Sequence, residues 1–385
     1  MRGNSFIPRD YDIFTGLDVS KKSMSVTFTD HQGFIRSLNM PHKAEHLLNY
    51  VRKHFPDKKI AFVYEAGPTG YGLYDGLAAQ TYPCLIAAPS MIPKAPGQRV
   101  KTNRLDSRQL SENLRGGQLK SIHVPSAVYR ELRHLTQLRD VLVGEMVGMK
   151  QRIKSLLLFE GIEFPPAPPG SQWSFVVKDK LRKLACSRAA RFKLDQLLNS
   201  LEFNEKQIFK TTREIRRFFK NDPELSQCIQ YLMTIPGIGW IVASQLLARM
   251  GDWRELKNIR QLAGFLGLVP TEHSTGERTD RGSITHTGDG RLRSKIIQAS
   301  WSAIRQDGEL REFYRSVCRK HPRQVASRVA IVAVARKLSV RISVVLMQQR
   351  PYEVREKVHS APLTQEETSP QGTTRREPEP GEKNP

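Results

Sequence analysis

Cysteine is scarce in this chain. Only four occur among 385 residues, Cys84, Cys186, Cys228 and Cys318, far apart and without a CxxC pair. That spacing excludes a disulfide framework or a zinc site and predicts reduced, buried thiols. Acidic residues are also in deficit, with 38 Asp and Glu against 61 Lys and Arg, a formal charge of +23 and a pI near 10.0. Long uninterrupted apolar runs are missing. The longest candidate, VASRVAIVAVARKLSVRISVVLM, is broken by Arg328, Arg336, Lys337 and Arg341, so it predicts an amphipathic helix and excludes a membrane span. The opening MRGNSFIPRD holds no apolar core of a signal peptide, and the expectation is a cytoplasmic protein with no membrane partner. Nucleotide-loop signatures are lacking as well: AGPTGYGLYDG (66–76) is glycine-rich, yet contains neither GxGxxG nor GK[ST]. His42 and His46 stand four residues apart with no third ligand apparent and read as solvated side chains.

What is present is cationic charge spread through foldable sequence. A polyanion is the simplest partner for a chain with such self-repulsion, and nucleic acid is the commonest one. The length allows two or three domains with a well-buried core. Over 12–124 the pattern is α/β: FTGLDVS, MSVTFTD and FIRSLNM read as strands, EHLLNYVRKHF as a helix, KKIAFVYEAG as a buried strand, GLYDGLAAQ as a helix and PCLIAAP as another strand. A mixed sheet with helices packed on it follows. Over 125–230 the period changes. Leu135, Leu138, Leu142, Met149, Ile153 and Leu156 follow three-and-four spacing, and Leu194, Leu197, Leu201, Ile208, Ile215 and Phe218 resume it beyond the Pro-rich break at 164–170. This predicts a long helical linker, either an antiparallel hairpin or a dimer coiled coil. A mainly helical domain is expected over 231–348, and 349–385 has the composition of a disordered tail.

Three segments carry chemistry. IPGIGWIVASQLLARMGD has the form of a helix-hairpin-helix motif, in which Gly237 and Gly239 would let a phosphate approach the backbone and a helix N-terminus. An ordinary tight helix connection has the same form. Asp18 lies in the first strand, Glu65 ends a later one and Asp106 sits in a basic segment opening a helix. Singly, each reads as an ion-pair partner or a cap, because a charge buried in a strand is costly unless paired or metal-bound. Their order is that of ribonuclease-H-like nucleases, whose acids hold Mg²⁺ against a phosphodiester. Finally, 267–296 interleaves hydroxyls, among them Ser274 and Thr275, with Arg278, Arg281, Arg291, Arg293 and Lys295. Hydroxyl plus guanidinium suits phosphate, either as a polar DNA-backbone loop or around a nucleophile.

Taken together, GLDVSKKSMSV, VYEAGPTGYGLYDGL, VKTNRLDSRQLSENL, IPGIGWIVASQLLARMGD, RQLAGFLGLVPTEHSTG and RGSITHTGDGRLR resemble the DEDD-type insertion-sequence transposases, relatives of the Piv and MooV invertases. The pieces run in family order from about residue 12 to 348. The resemblance implies an RNase H/RuvC-like α/β N-terminal domain, a long helical coiled-coil linker and a mainly α C-terminal domain with a nucleophilic serine. It also implies Mg²⁺, donor and target DNA, a structured guide RNA in some members, and dimers that pair into a tetramer on DNA. Carried over by position, the four acids fall on Asp18, Glu65, Asn103 and Asp106. Asn103 replaces a carboxylate, so its carbonyl would coordinate without charge. The serine falls on Thr275, with Ser274 beside it and favoured for its less hindered primary hydroxyl. Lys101 and Arg104 flank the acids as nucleic-acid contacts. The expected activity is phosphodiester strand transfer. The rivals are a hydrolytic RuvC-like nuclease or junction resolvase and a catalytically inactive nucleic-acid-binding relative.

Overall fold

The structure of the protein, a computed structural model, describes residues 6–93, 102–275 and 278–353, with backbone alone at 273–275 and 278–281. Lys101 and the tail from 354 onward lie outside the described residues.

Alternating apolar and small polar residues make the first strands. β1 (Ile13–Val19), β2 (Ser23–Thr29) and β3 (Phe34–Pro41) form an antiparallel meander. α1 (Ala44–His54) leads to β4 (Ile60–Glu65), which runs parallel to β1. α2 (Gly72–Ala78) leads to β5 (Cys84–Ala87), parallel to β4. The order is β3-β2-β1-β4-β5. Short turns serve the antiparallel pairs, whereas each parallel pair needs a helical crossover.

Strand alternation sorts the two faces. On one, Leu17, Phe28, Phe62 and Tyr64 pack with Leu47 and Val51 of α1 and Leu73 and Leu77 of α2. On the other, Phe14, Ala61 and Val63 pack with Leu110 and Leu114 of α3 (Asn103–Arg115). Full burial of each Leu or Phe contributes on the order of 1.5–3 kcal/mol. α3 therefore covers the face that also receives Gly16, Asp18 and Glu65 by parity.

The linker is a pair of antiparallel helices, α4 (Ala127–Phe159) and α6 (Arg188–Asn221), joined through α5 (Phe175–Lys183). At one end Ile153, Leu156 and Leu157 pack on Leu194, Leu198 and Leu201. At the other, Tyr129 and Leu132 share a core with Ile215 and Phe219. Between these ends the expected apolar seam is interrupted: Leu138 is half exposed, and Arg139 Nε donates to Thr212 Oγ1 at 3.0 Å. Within one chain the helices thus form a hairpin, packed firmly at its ends.

The remaining elements are α7 (Pro223–Met233), α8 (Trp240–Met250), α9 (Gln261–Phe265), β6 (Pro270–Thr275), β7 (Arg278–Ile284), α10 (Gly290–Gln306), α11 (Gly308–Cys318) and α12 (Arg323–Gln348). The boundary expected at 230/231 falls inside α7, whose Leu225, Cys228 and Leu232 belong to the C-terminal core. The segment expected as a polar loop contains an antiparallel ribbon, with Ser274 opposite Thr279 and Thr275 opposite Arg278. Its threonines suit a pleated strand better than a loop. α12 is the helix expected there, and it buries Ala330, Val334, Leu338 and Ile342 in the core. Among the described residues no helix is long and apolar enough to cross a membrane.

Candidate active site

The corner that gathers the sequence-expected acids is set by register. Leu17 of β1 pairs with Tyr64 of β4, so the next residues along, Asp18 and Glu65, leave adjacent parallel strands side by side. Neighbouring strands lie about 4.8 Å apart. Asn103 and Asp106 enter from above, in the first turn of α3, whose N-cap Thr102 accepts a hydrogen bond from the Leu105 N–H at 3.3 Å. A carboxylate there is favoured by the helix dipole as well. Asp18 and Asp106 are partly buried, whereas Glu65 and Asn103 are exposed.

α3 reaches this position because the contact beneath it is very close. A Cβ on Gly16 would lie 2.0 Å from the Ser107 carbonyl oxygen and 2.5 Å from the Ser111 nitrogen. Only glycine permits that approach. Hydroxyls then fasten the helix to the sheet: Thr27 to Ser107 at 2.8 Å, Thr29 to Ser111 at 2.6 Å, and Ser25 to Ser107 at 3.3 Å. Ser25 is the cross-strand partner of Asp18, and Ser107 follows Asp106 in sequence. The hydroxyl seam thus ties together the supports of both acids. These positioning residues were not singled out from sequence. Their signal is present there, as hydroxyls at every second residue of SMSVTFT and serines four apart in α3.

Oxygen donors alone, carboxylates with one amide carbonyl, make a set suited to a hard divalent cation. The backbone brings these four residues to one corner. The side chains are not closed around a point: among the described residues no three His, Cys, Asp or Glu side chains are grouped closely enough to hold a metal ion.

Ser274 and Thr275 lie near the end of β6, with their side chains outside the described residues, as are those of Arg278 and Arg281. The base of this ribbon is anchored through α10. Arg293 Nη1 donates to the carbonyls of Leu266 at 3.0 Å and His286 at 3.3 Å, and Lys295 pairs with Asp140 of α4 at 3.1 Å. Both were expected to contact nucleic acid; their observed partners are internal, with Arg293 bracing the base of the ribbon and Lys295 tying α10 to α4. Arg104 and Arg291 are exposed. Gly237, at φ +85°, faces α10, where a Cβ would meet the Ala299 carbonyl oxygen at 2.4 Å, so packing already accounts for this glycine. Gly239, the N-cap of α8, faces open space.

Comparison with known proteins matches both halves. A DEDD-type transposase model of the IS110 group covers residues 15–160, and the model described as Transposase IS116/IS110/IS902 family covers 229–315. A Sinorhizobium fredii protein named as a transposase, y4qE, is 30% identical over 298 residues, which is 76% of this chain and 72% of that protein. The chain belongs to this transposase family. A Yersinia enterocolitica transposase for insertion sequence element IS1328 is 30% identical over 53% of this chain and 59% of its own length. The pilin gene-inverting protein of Moraxella bovis is 27% identical over 47% of this chain and 55% of its own. Membership makes the protein a DNA transposase or recombinase in general terms, and its DEDD-type domain implies dependence on a divalent metal ion.

Proposed function

We propose that this transposase cuts and rejoins DNA through a hydroxyl on the β6–β7 ribbon, Ser274 in first place and Thr275 in second, working with the corner of Asp18, Glu65, Asn103 and Asp106. The observation that carries the reading is the register that sets Asp18 beside Glu65 under the first turn of α3. The metal would be Mg²⁺, and the three carboxylates and the Asn103 carbonyl would hold it. When bound it would polarise a phosphate oxygen and offset developing negative charge.

The hydroxyl oxygen attacks phosphorus, a new O–P bond forms, and the bond to the leaving deoxyribose oxygen breaks. The hydroxyl proton leaves to solvent or a neighbouring base, and the departing oxygen takes up a proton. One phosphodiester bond is replaced by one protein–DNA phosphoester, so no nucleotide triphosphate is needed. A hydroxyl of a second strand then reverses the exchange and frees the side chain. Attack needs the hydroxyl about 3–3.5 Å from phosphorus and in line with the leaving oxygen. We further propose a composite site in which the ribbon of one subunit meets the acids of another, within a dimer or tetramer assembled on donor and target DNA. An element-encoded structured RNA would pair with both DNAs, and the charge of +23 supports so much polyanion.

Suicide DNA substrates test the chemistry. Wild-type protein should give a covalent adduct on denaturing gels, lost in only one of the variants Ser274→Ala and Thr275→Ala, and that variant names the nucleophile. Cleavage without any adduct would establish water as nucleophile and a RuvC-like hydrolase instead. Cleavage that survives Asp18→Ala and Glu65→Ala would remove the acids from the reaction.

A further inference from the structure

α12 is apolar on two sides. One side is buried in the C-terminal core. The other carries Val325, Val329, Ala333 and Val340, at intervals of four, four and seven residues, with Val332 at its border with the core, and Val329 is 38% exposed. A soluble helix ordinarily pairs an apolar stripe with a polar one. Here the second stripe floors a groove of about 1240 Å³, larger than the roughly 300–1,000 Å³ of small-molecule sites. The opposite wall is the ribbon itself, through Pro270, Gly282, Ser283 and Ile284.

The rim is cationic. Arg260, Arg328, Arg336 and Lys337 line it with His286 and His321, and among the described side chains no Asp or Glu lines the groove. Lys337 is engaged by Glu309 at 2.6 Å. Arg260, Arg328 and Arg336 pair with no carboxylate among the described residues. A groove with an apolar floor and guanidinium groups that meet no carboxylate among the described residues matches a polymer that is anionic along its backbone and apolar between its charges. Duplex DNA offers phosphates but keeps its bases stacked inside. An unpaired strand offers both at once.

We propose that this groove holds an unpaired stretch of the DNA strand being transferred, with bases or sugars on the valines of α12 and phosphates on Arg328 and Arg336. The proposal rests on the reading that the β6–β7 ribbon acts on DNA. It adds a place where that strand is kept unpaired beside the ribbon. Aliphatic contact carries no base code, so the groove tolerates any sequence.

Fluorescence anisotropy with the full chain, in chelator so that no strand is cut, tests it. The probe is one labelled oligonucleotide, presented as a single strand, as a duplex and as RNA of the same sequence. Val329→Glu, which sets a charge on the floor, and Arg336→Ala should each weaken single-strand DNA binding roughly tenfold and duplex binding less than about twofold. Val176→Glu, an equally drastic change at an exposed valine on α5, should leave both within about twofold. An iodouracil-bearing strand should photocrosslink to 325–340, which reads placement even where a variant unfolds. Crosslinks confined to other helices, equal losses for duplex and single strand, or RNA bound at least about tenfold more tightly than DNA would each overturn the proposal. So would an unchanged single-strand affinity in both groove variants. The adduct assay fails separately: groove binding without an adduct removes the hydroxyl nucleophile, and an adduct without groove binding removes the groove.

Discussion

Substituting Gly16→Ala should injure the acid corner without touching any acid. The new methyl would lie 2.0 Å from the Ser107 carbonyl oxygen, while ordinary contact begins at 3.4 Å, so α3 must retreat by about 1.4 Å (3.4 − 2.0). Neither contacting atom is a flexible side-chain tip; both are backbone of the helix. Retreat stretches the 2.8 Å Thr27–Ser107 and 2.6 Å Thr29–Ser111 hydrogen bonds. Overpacking costs about 1–3 kcal/mol and each lost hydrogen bond about 0.5–1.5 kcal/mol, for a loss near 2–4 kcal/mol when the helix relaxes partly. Asp106 and Asn103 move with the helix, and a displacement of about 1 Å at a reacting centre costs on the order of 100-fold in rate. Cleavage of a donor-end substrate, measured against metal concentration, should fall by that factor, and denaturant unfolding should show the stability loss. Gly144→Ala is the control, since that glycine lies within α4 with open space around it and should gain about 0.5–1 kcal/mol. Wild-type cleavage and stability in Gly16→Ala would refute the claim that α3 is held by that contact and that its seat sets the corner.

Asn103→Asp restores a charged ligand and should lower the metal concentration needed for half-maximal cleavage; an intact fold with lost activity would make asparagine a required feature of this site. Nucleic-acid affinity should fall steeply with salt, with a log–log slope of about −0.9 per phosphate neutralised on duplex DNA, and a flat plot would assign the charge another purpose. Asp307, 0% exposed, accepts hydrogen bonds from the Leu310 N–H at 2.9 Å, Arg341 Nη1 at 2.5 Å and the Tyr352 hydroxyl at 3.1 Å. Burial pushes its carboxyl pKa up, but these donors prevail and hold it below the usual value. Asp307→Ala leaves the Arg341 guanidinium with Glu309 alone, at 2.9 Å, and should cost about 1.5–3 kcal/mol at pH 7 by denaturant unfolding. Because the folded pKa is depressed, this contribution is present above the unfolded value near 4 and is lost as pH falls through the folded one. The gap between wild type and variant should therefore narrow in acid.

The sequence alone determined the element order of the first domain, because period-two strands and helical stretches there alternate with clear turn signals. It also determined the cationic character, and the family through six short segments in order. Asp18, Glu65, Asn103 and Asp106 were legible as a set, but their meeting at one corner depends on the parallel register of β1 and β4, a contact between strands more than forty residues apart. Local sequence does not encode that distance in space. Tertiary structure likewise decided that Gly16 is the seat of α3, that Gly237 faces α10, that Arg293 braces the base of the ribbon and that Lys295 ties α10 to α4. A glycine looks the same in sequence whether its missing side chain admits a phosphate or a neighbouring helix. An arginine looks the same whether it meets a carbonyl or DNA, since only the folded chain fixes what stands opposite it.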